Sequence, residues 1–176
     1  MNKRSIGALI VVGVAAVALV ALNAQNSGAK VTPLTAQDYA EIQQLNAAYA
    51  HYIDTGEDNG YAWAKLFTPD GVFTRQARDT YEGREKIAEL ARSVGRGPDY
   101  VSHFVTNIMV EATPQGATGR ATCIVVRFPD NKLGDQDPRA TVPGAGCRYH
   151  DNYVRTKEGW RFKSRLVTVS AAAAKP

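Results

Sequence analysis

The sequence predicts an α+β fold, with helices first, an antiparallel sheet last, and the helices packed on one face of a curved sheet. Three observations predict it. Apolar residues recur every three or four positions up to about residue 93. Beyond Gly97-Pro98 the period changes to alternation, and no segment repeats. At 176 residues, 44% hydrophobic and 22% charged, the chain fits one globular domain and excludes a disordered tail or a multi-span membrane protein. Two cysteines are too few for a disulfide-built scaffold or a four-cysteine zinc module. The three histidines, His51, His103 and His150, leave little material for a histidine-rich metal site.

The first 24 residues are a separate object. Lys3 and Arg4 form a basic start, Ile6–Leu22 is uncharged, and Asn23-Ala24-Gln25 turns polar. This is the order of a secretory signal cut after Ala24; an uncleaved anchor is the competing reading, at the short end of what spans a bilayer. Both readings export the domain, to the periplasm or medium if the signal is cleaved and to a membrane if it is not. Removing the leader leaves 19 basic against 17 acidic residues, so the basic balance argues only weakly for nucleic acid.

Residues 25–34 read as a linker, 35–170 as the folded domain and 171–176 as a flexible tail. A helix opens at Thr35, whose hydroxyl can cap the amide of Asp38, and Gly56 stops it. Its buried stripe is Ile42, Leu45, Tyr49, Tyr52 and Ile53. A second short helix around Tyr61–Phe67 carries Trp63, Leu66 and Phe67. Pro69-Asp70-Gly71 then reads as a turn into the strand Val72–Thr74, and a third helix spans Arg84–Ser93. Four strands follow at about 100–111, 118–128, 146–156 and 160–169, with turns at Gln115-Gly116 and Glu158-Gly159. Residues 129–145 are long for a loop and read as a lid. Cys123 and Cys147 both fall in strands; in an exported domain they form either a disulfide or two buried thiols.

Five segments together resemble a known family. They are Ile42–Leu45 with Tyr49 and Asp54, Leu66–Phe73, Tyr81–Ile87, Ser102–Asn107, and Tyr149–Asp151 followed by Val154–Phe162 and Arg165. Their order and spacing are similar to the SnoaL-like branch of the nuclear transport factor 2-like superfamily, over about residues 36–169. The resemblance implies a cone, a strongly curved antiparallel sheet wrapped around N-terminal helices and enclosing a deep pocket. It also implies a homodimer through the sheet. The superfamily holds steroid isomerases, scytalone and bile-acid dehydratases and polyketide cyclases, along with members that only bind or assemble, so the site must decide function.

Tyr49, Asp54 and His103 match the tyrosine, aspartate and histidine that dehydratases of this type use. The chemistry is coherent. An imidazole with its ordinary pKa of about 6.5 can take a proton at neutral pH. A carboxylate on its far nitrogen fixes the tautomer, and a buried phenol donates to a developing oxyanion. His103 is then base, Asp54 orienter and Tyr49 donor. Each has a plainer reading beside it: Tyr49 as a core aromatic, Asp54 as a solvated residue about 120° from Ile42 around the helix, at 100° per residue, and His103 as a structural histidine. His103 alternates with Val101, Val105, Asn107 and Met109, a mixed face that suits a cavity wall.

The remaining ligand-pocket candidates are Trp63, Phe67, Asn107, Met109, Arg127, Tyr149 and Asp151. Arg127 is always charged, so it can bind an anion and cannot act as a base. Asp151 is either a second pocket carboxylate or an ion-pair partner of Arg165. The dehydratases carry a second acid or base on the following strand; here Thr122, Cys123 and Val125 stand in that region. The steroid-isomerase base falls near Arg75, against that activity. Arg161, Lys163 and Arg165 alternate on one face of the last strand and read as a solvated basic stripe.

The expected function is a lyase or isomerase acting without metal or organic cofactor on a hydrophobic hydroxy-carbonyl substrate such as a steroid or polyketide. The alternative is a non-catalytic exported binding or dimerisation module of the same fold. The expected partners are a hydrophobic small molecule and a second copy of the chain, with no nucleic acid.

Overall fold

The structure is a computed structural model and describes residues 30–94, 100–128 and 146–169. The leader at 1–24, residues 25–29 of the linker, the expected lid at 129–145 and the tail at 171–176 lie outside the described residues. Among the described residues no helix is long and apolar enough to cross a membrane.

Helix α1, Ala36–Thr55, begins with a reciprocal cap. The Asp38 amide donates to the Thr35 hydroxyl at 3.2 Å and the Thr35 amide donates to the Asp38 carboxylate at 2.9 Å. It stops at Gly56, whose φ of 62° is the left-handed conformation that glycine adopts without steric cost. Ile42, Leu45, Tyr49 and Ile53 are buried along one stripe, as their spacing predicts. A 3-10 turn, Asp58–Gly60, leads into α2, Tyr61–Ala64, which is shorter than expected because Phe67 already belongs to a strand. Strands β1 (Phe67–Arg75) and β2 (Asp79–Glu82) precede helix α3 (Gly83–Val94). Strands β3 (Tyr100–Thr113), β4 (Gly116–Phe128), β5 (Cys147–Thr156) and β6 (Gly159–Val169) complete the fold.

The six strands form one curved, unclosed sheet in the order β2-β1-β6-β5-β4-β3. Four neighbouring pairs are antiparallel, but β1 runs parallel to β6, so the sheet is mixed rather than purely antiparallel. Two other expectations change locally. Pro69-Asp70-Gly71 is not a turn: it lies inside β1, where the register with β6 slips between Phe67 and Val72. Gly71 is buried there, and a Cβ on it would stand 2.8 Å from Cβ of Phe67, so a side chain would not fit without movement. The edge strand β2 escaped the sequence pattern because its four residues, Asp-Thr-Tyr-Glu, are mostly exposed and bury no alternating face.

The core lies between the sheet and the helices. Trp63 and Phe67 pack edge to face at 5.6 Å, Trp63 and Phe73 at 5.2 Å, and Tyr49 meets Phe162 at 5.9 Å. Trp63 and Phe67 are completely buried in this cluster. Cys123 and Cys147 are opposite each other on β4 and β5 with Cα atoms 4.9 Å apart, and they form a disulfide.

Two bulges decide which side chains face the helices. On β3 the pairing with β4 shifts between Thr106 and Met109, and Asn107 takes a positive φ of 53°. One residue is inserted there, so the side chains beyond it change face. Ile108 and Val110 therefore pack against the core, while Asn107 is exposed and Met109 is 57% exposed. On β6 the pairing with β5 shifts between Asn152 and Tyr153, and Lys163 is the extra residue. Arg165 thus turns inward together with Phe162 and Val167, all three buried. The expected stripe Arg161-Lys163-Arg165 is broken at that point.

Candidate functional site

Asp54 reaches His103 although the helix runs on undistorted past it to Thr55. The curved sheet explains this. The apolar stripe of α1 faces the middle of the sheet, and the flank that carries Asp54 packs against β3, which curls around the helix. One carboxylate oxygen accepts the backbone amide of His103 at 2.8 Å, and the other meets Nδ1 of the same residue. Both side chains are largely shielded, 13% exposed for His103 and 11% for Asp54. An anionic Asp54 holds the proton on Nδ1 and leaves Nε2 as the basic nitrogen.

His103 forms part of the wall of a cavity of about 330 Å³. Ile53, Phe73, Leu90, Val94, Val101, Val125 and Val167 give it apolar walls, and Tyr49 and Tyr149 bring two phenols to it. The cavity lies toward the carboxyl ends of β1, β4 and β6 and the starts of β3 and β5, where Arg75, Gln76, Arg127 and Val169 line it. A larger depression of about 700 Å³ lies on the outer face of the sheet, beside Met109, His150, Asn152 and Leu166. The smaller cavity is the one that meets the imidazole–carboxylate pair.

Beneath the phenols sits a buried cation. The Arg165 side chain is fully buried and pairs with the equally buried Asp151, Nε to one carboxylate oxygen and Nη2 to the other, both at 2.8 Å. Nη2 also donates to Oδ1 of Asn46. Tyr153 donates to Asp151 at 2.7 Å, and Nδ2 of Asn46 donates to the Tyr153 hydroxyl at 3.1 Å. The guanidinium lies 4.1 Å from the Tyr49 ring centroid and 4.0 Å from that of Tyr149, close enough for cation–π attraction. Among the described residues its Nη1 has no hydrogen-bond partner.

Burial pulls the Arg165 guanidinium down, but the charge and hydrogen bonds of Asp151 outweigh that and hold it above its ordinary range. Burial pushes the Tyr49 phenol well above its ordinary value; Tyr149 adds to the shift and Arg165 opposes it. Burial likewise raises Tyr149, again against the pull of Arg165. Both phenols are therefore neutral donors at pH 7.

The structure sorts the sequence candidates clearly. Tyr49, His103, Arg127 and Tyr149 line one cavity, with Asp54 behind His103. Trp63 and Phe67 are core supports rather than lining. Asn107 and Met109 are on the outer face, because the β3 bulge reverses the alternation on which their placement rested. Asp151 is the ion-pair partner of Arg165 and not a second pocket carboxylate. Val125 pairs with His103 across β3 and β4, and the wall beside it is the Cys123–Cys147 disulfide. Sequence reasoning missed Arg75 and Gln76 as lining residues, because nothing in their neighbourhood reveals that β1 ends at the cavity. It also missed Arg165 as the cation beneath both tyrosines, since the β6 bulge leaves no pattern in the residues. Among the described residues no three His, Cys, Asp or Glu side chains gather as metal ligands do.

Comparison with known proteins agrees with this architecture. A family model described as a SnoaL-like domain matches residues 34–166. The uncharacterised protein Rv2910c of Mycobacterium tuberculosis is 32% identical over 133 residues, covering 74% of this chain and 84% of that protein. A solved structure from Catenulispora acidiphila, in complex with S-DNPA, is 30% identical with a TM-score of 0.63, covering 77% of this chain and 95% of the other. Rv3472(D26N), a protein of unknown function from M. tuberculosis, shares the fold at 24% identity and a TM-score of 0.66, over 78% of this chain and 74% of the other. The chain belongs to the SnoaL-like domain family of the nuclear transport factor 2-like superfamily.

Proposed function

We propose that the chain is a cofactor-independent lyase or isomerase, performing dehydratase-type acid–base chemistry on a hydrophobic hydroxy-carbonyl substrate such as a steroid or polyketide. The observation that carries this reading is the His103–Asp54 pair, shielded and set into an apolar cavity beside two phenols. Nε2 of His103 takes the proton from the carbon next to the carbonyl. The Tyr49 and Tyr149 phenols donate to the carbonyl oxygen as it becomes an enolate. The enolate re-forms the carbonyl, the β-hydroxyl leaves with its bonding electrons, and it takes the proton from the imidazolium to depart as water. Asp54 holds Nδ1–H throughout and stabilises the imidazolium. One imidazole thus serves as base and then as acid, which fits a cavity wall that has Val125 and a disulfide where related dehydratases carry a second acid–base group. In an isomerisation the same proton returns to a different carbon.

Among relatives, the Catenulispora protein, 30% identical, was solved in complex with S-DNPA, which supports a ligand-binding cavity in this fold. The test is a thermal-shift screen against steroids, bile acids and aromatic polyketides, followed by mass spectrometry of each hit. Saturating ligand at 100 times its dissociation constant adds about 2.7 kcal/mol. A hit converted by the wild type, and bound but unconverted by His103→Ala, supports the enzyme. Hits that are bound and never converted overturn it in favour of the binding module.

The proposal includes export and self-association. The Cys123–Cys147 disulfide suits an oxidising compartment, in keeping with the leader. Iodoacetamide mass labelling of chain isolated without reductant tests it: two labelled thiols would sink the export reading. Phe104 and Ile124 face each other on the outer surface of β3 and β4, 51% and 40% exposed, an apolar pair suited to a second copy. Light scattering of Phe104→Glu against wild type tests the dimer, which is overturned if the wild type is monomeric.

A further inference from the structure

The rim of the cavity carries chemistry that the acid–base step does not use. Arg75 ends β1 and Arg127 lies near the end of β4, and both line the cavity. Between them in space the lining is Val167, Val169 and Cys147. Among the described residues no aspartate or glutamate is part of the lining; Asp54 stands behind His103. Arg75 also donates to Asp79 from Nε at 3.3 Å and Nη2 at 3.0 Å, but both side chains are about half exposed, 46% and 52%, so solvent screens that pair.

Gln76 is the second observation. It and Ala77 occupy the left-handed region, with φ of 54° and 53°, in the tight turn closed by the Arg78 amide on the Arg75 carbonyl at 3.1 Å. Such turns favour Asn-Gly, because other side chains are strained there. The strained residue is nevertheless held in place. Its amide donates to the Val167 carbonyl at 2.7 Å, and Arg78 donates to its side-chain oxygen at 3.1 Å. Gln76 lines the cavity, and its side-chain amide adds an N–H donor to the two arginines.

The geometry points to a substrate that carries an anionic group, a carboxylate or a comparable oxyanion, bound at the rim by Arg75, Gln76 and Arg127. This deepens the proposed function and rests on the same cavity. Arg127 is two residues beyond Val125, the strand partner of His103, which places it about 7 Å rimward at 3.4 Å per residue. An apolar body between the reacting carbon at His103 and an anion at the rim spans that distance. Two arginines and an amide donor suit a flat, multiply accepting oxyanion.

The test uses two fluorescent probes of one skeleton, 1-anilinonaphthalene-8-sulfonate, which is anionic, and N-phenyl-1-naphthylamine, which is neutral. Titration of the full chain at pH 8 is expected to give at least ten-fold tighter binding of the anionic probe. In Arg75→Gln/Arg127→Gln that preference should vanish while the neutral probe keeps its affinity, which also shows that the variant is folded. Val125→Trp, which fills the cavity, should weaken both probes. Equal affinities in the wild type, a preference that survives the double substitution, or anionic binding unaffected by Val125→Trp overturns the inference. No step here requires turnover. An inactive protein that still selects the anionic probe through Arg75 and Arg127 refutes the catalytic reading alone.

Discussion

Asp54 and His103 are 49 residues apart in sequence, yet the aspartate binds both the backbone amide and the ring nitrogen of the histidine. The two contacts fix different things. The amide bond at 2.8 Å ties the end of α1 to β3, and the ring contact sets the rotation of the imidazole. A carboxylate with both oxygens committed to one residue orients it more tightly than a single hydrogen bond can.

Asp54→Asn is expected to keep the fold and to lower kcat about 10²- to 10⁴-fold, because an amide can stabilise the wrong imidazole tautomer and cannot stabilise the imidazolium. KM should change little. Steady-state kinetics on any substrate found in the screen decides it. An unchanged kcat would remove Asp54 from the mechanism.

The buried phenols make the protein sensitive to alkali in a defined direction. Tyr49 and Tyr149, raised above their ordinary value of 10 by burial, stay protonated in the fold while the unfolded chain ionises. The folded state therefore binds more protons above pH 10, so their contribution to stability is fully present below that pH and is lost as pH rises above it. Absorbance at 295 nm should show both failing to ionise in step with the exposed tyrosines. Full titration of all eight tyrosines near pH 10 in folded protein would contradict their burial.

Arg165 and Asp151 form a buried pair, for which loss of one partner leaves an uncompensated charge. Arg165→Met should destabilise the fold by about 3–5 kcal/mol, and the double replacement Arg165→Met/Asp151→Leu should recover much of that. Urea unfolding of the three proteins measures it. Equal losses in the single and double variants would refute the penalty of an uncompensated Asp151 charge.

Asp38 predicts the acid behaviour. Its side chain accepts from the Thr35 hydroxyl at 2.7 Å, from the Thr35 amide, and from Nε1 of Trp160 at 3.0 Å, and it also meets Arg155. The Thr35 hydroxyl and amide, then Trp160, hold its pKa down at about 2, from an ordinary 3.8. A depressed carboxylate stabilises the fold above its unfolded value. Up to about 2 kcal/mol should thus be lost between pH 4 and pH 2. Asp38→Asn should flatten that part of the stability profile in urea titrations, and an unchanged slope would refute the assignment.

The helix stripe of α1, its cap at Thr35 and its stop at Gly56 were legible because they depend on residues within one turn of each other. The strands β3 to β6 were legible through alternation for the same reason. Tyr49, Asp54 and His103 could be named from the family resemblance, but whether the last two meet could not be read from the sequence. Helical periodicity places Asp54 far from the apolar stripe, and only a sheet that curls around the helix gives that flank a partner. Asn107, Met109 and Arg165 changed face because single inserted residues at the bulges reverse all alternation beyond them, and a bulge has no signature in composition.

By itself, then, the sequence determined helices α1 and α3, strands β3 to β6, their order and the chemistry available to them, since caps, turns and periodicity are local, while β2 and the start of β1 carried no such pattern. The tertiary structure alone decided that Arg165 lies beneath the two tyrosines, that Cys123 meets Cys147, and that Arg75 and Arg127 share a rim. Each of those relations depends on strand register and sheet curvature, which long-range packing sets.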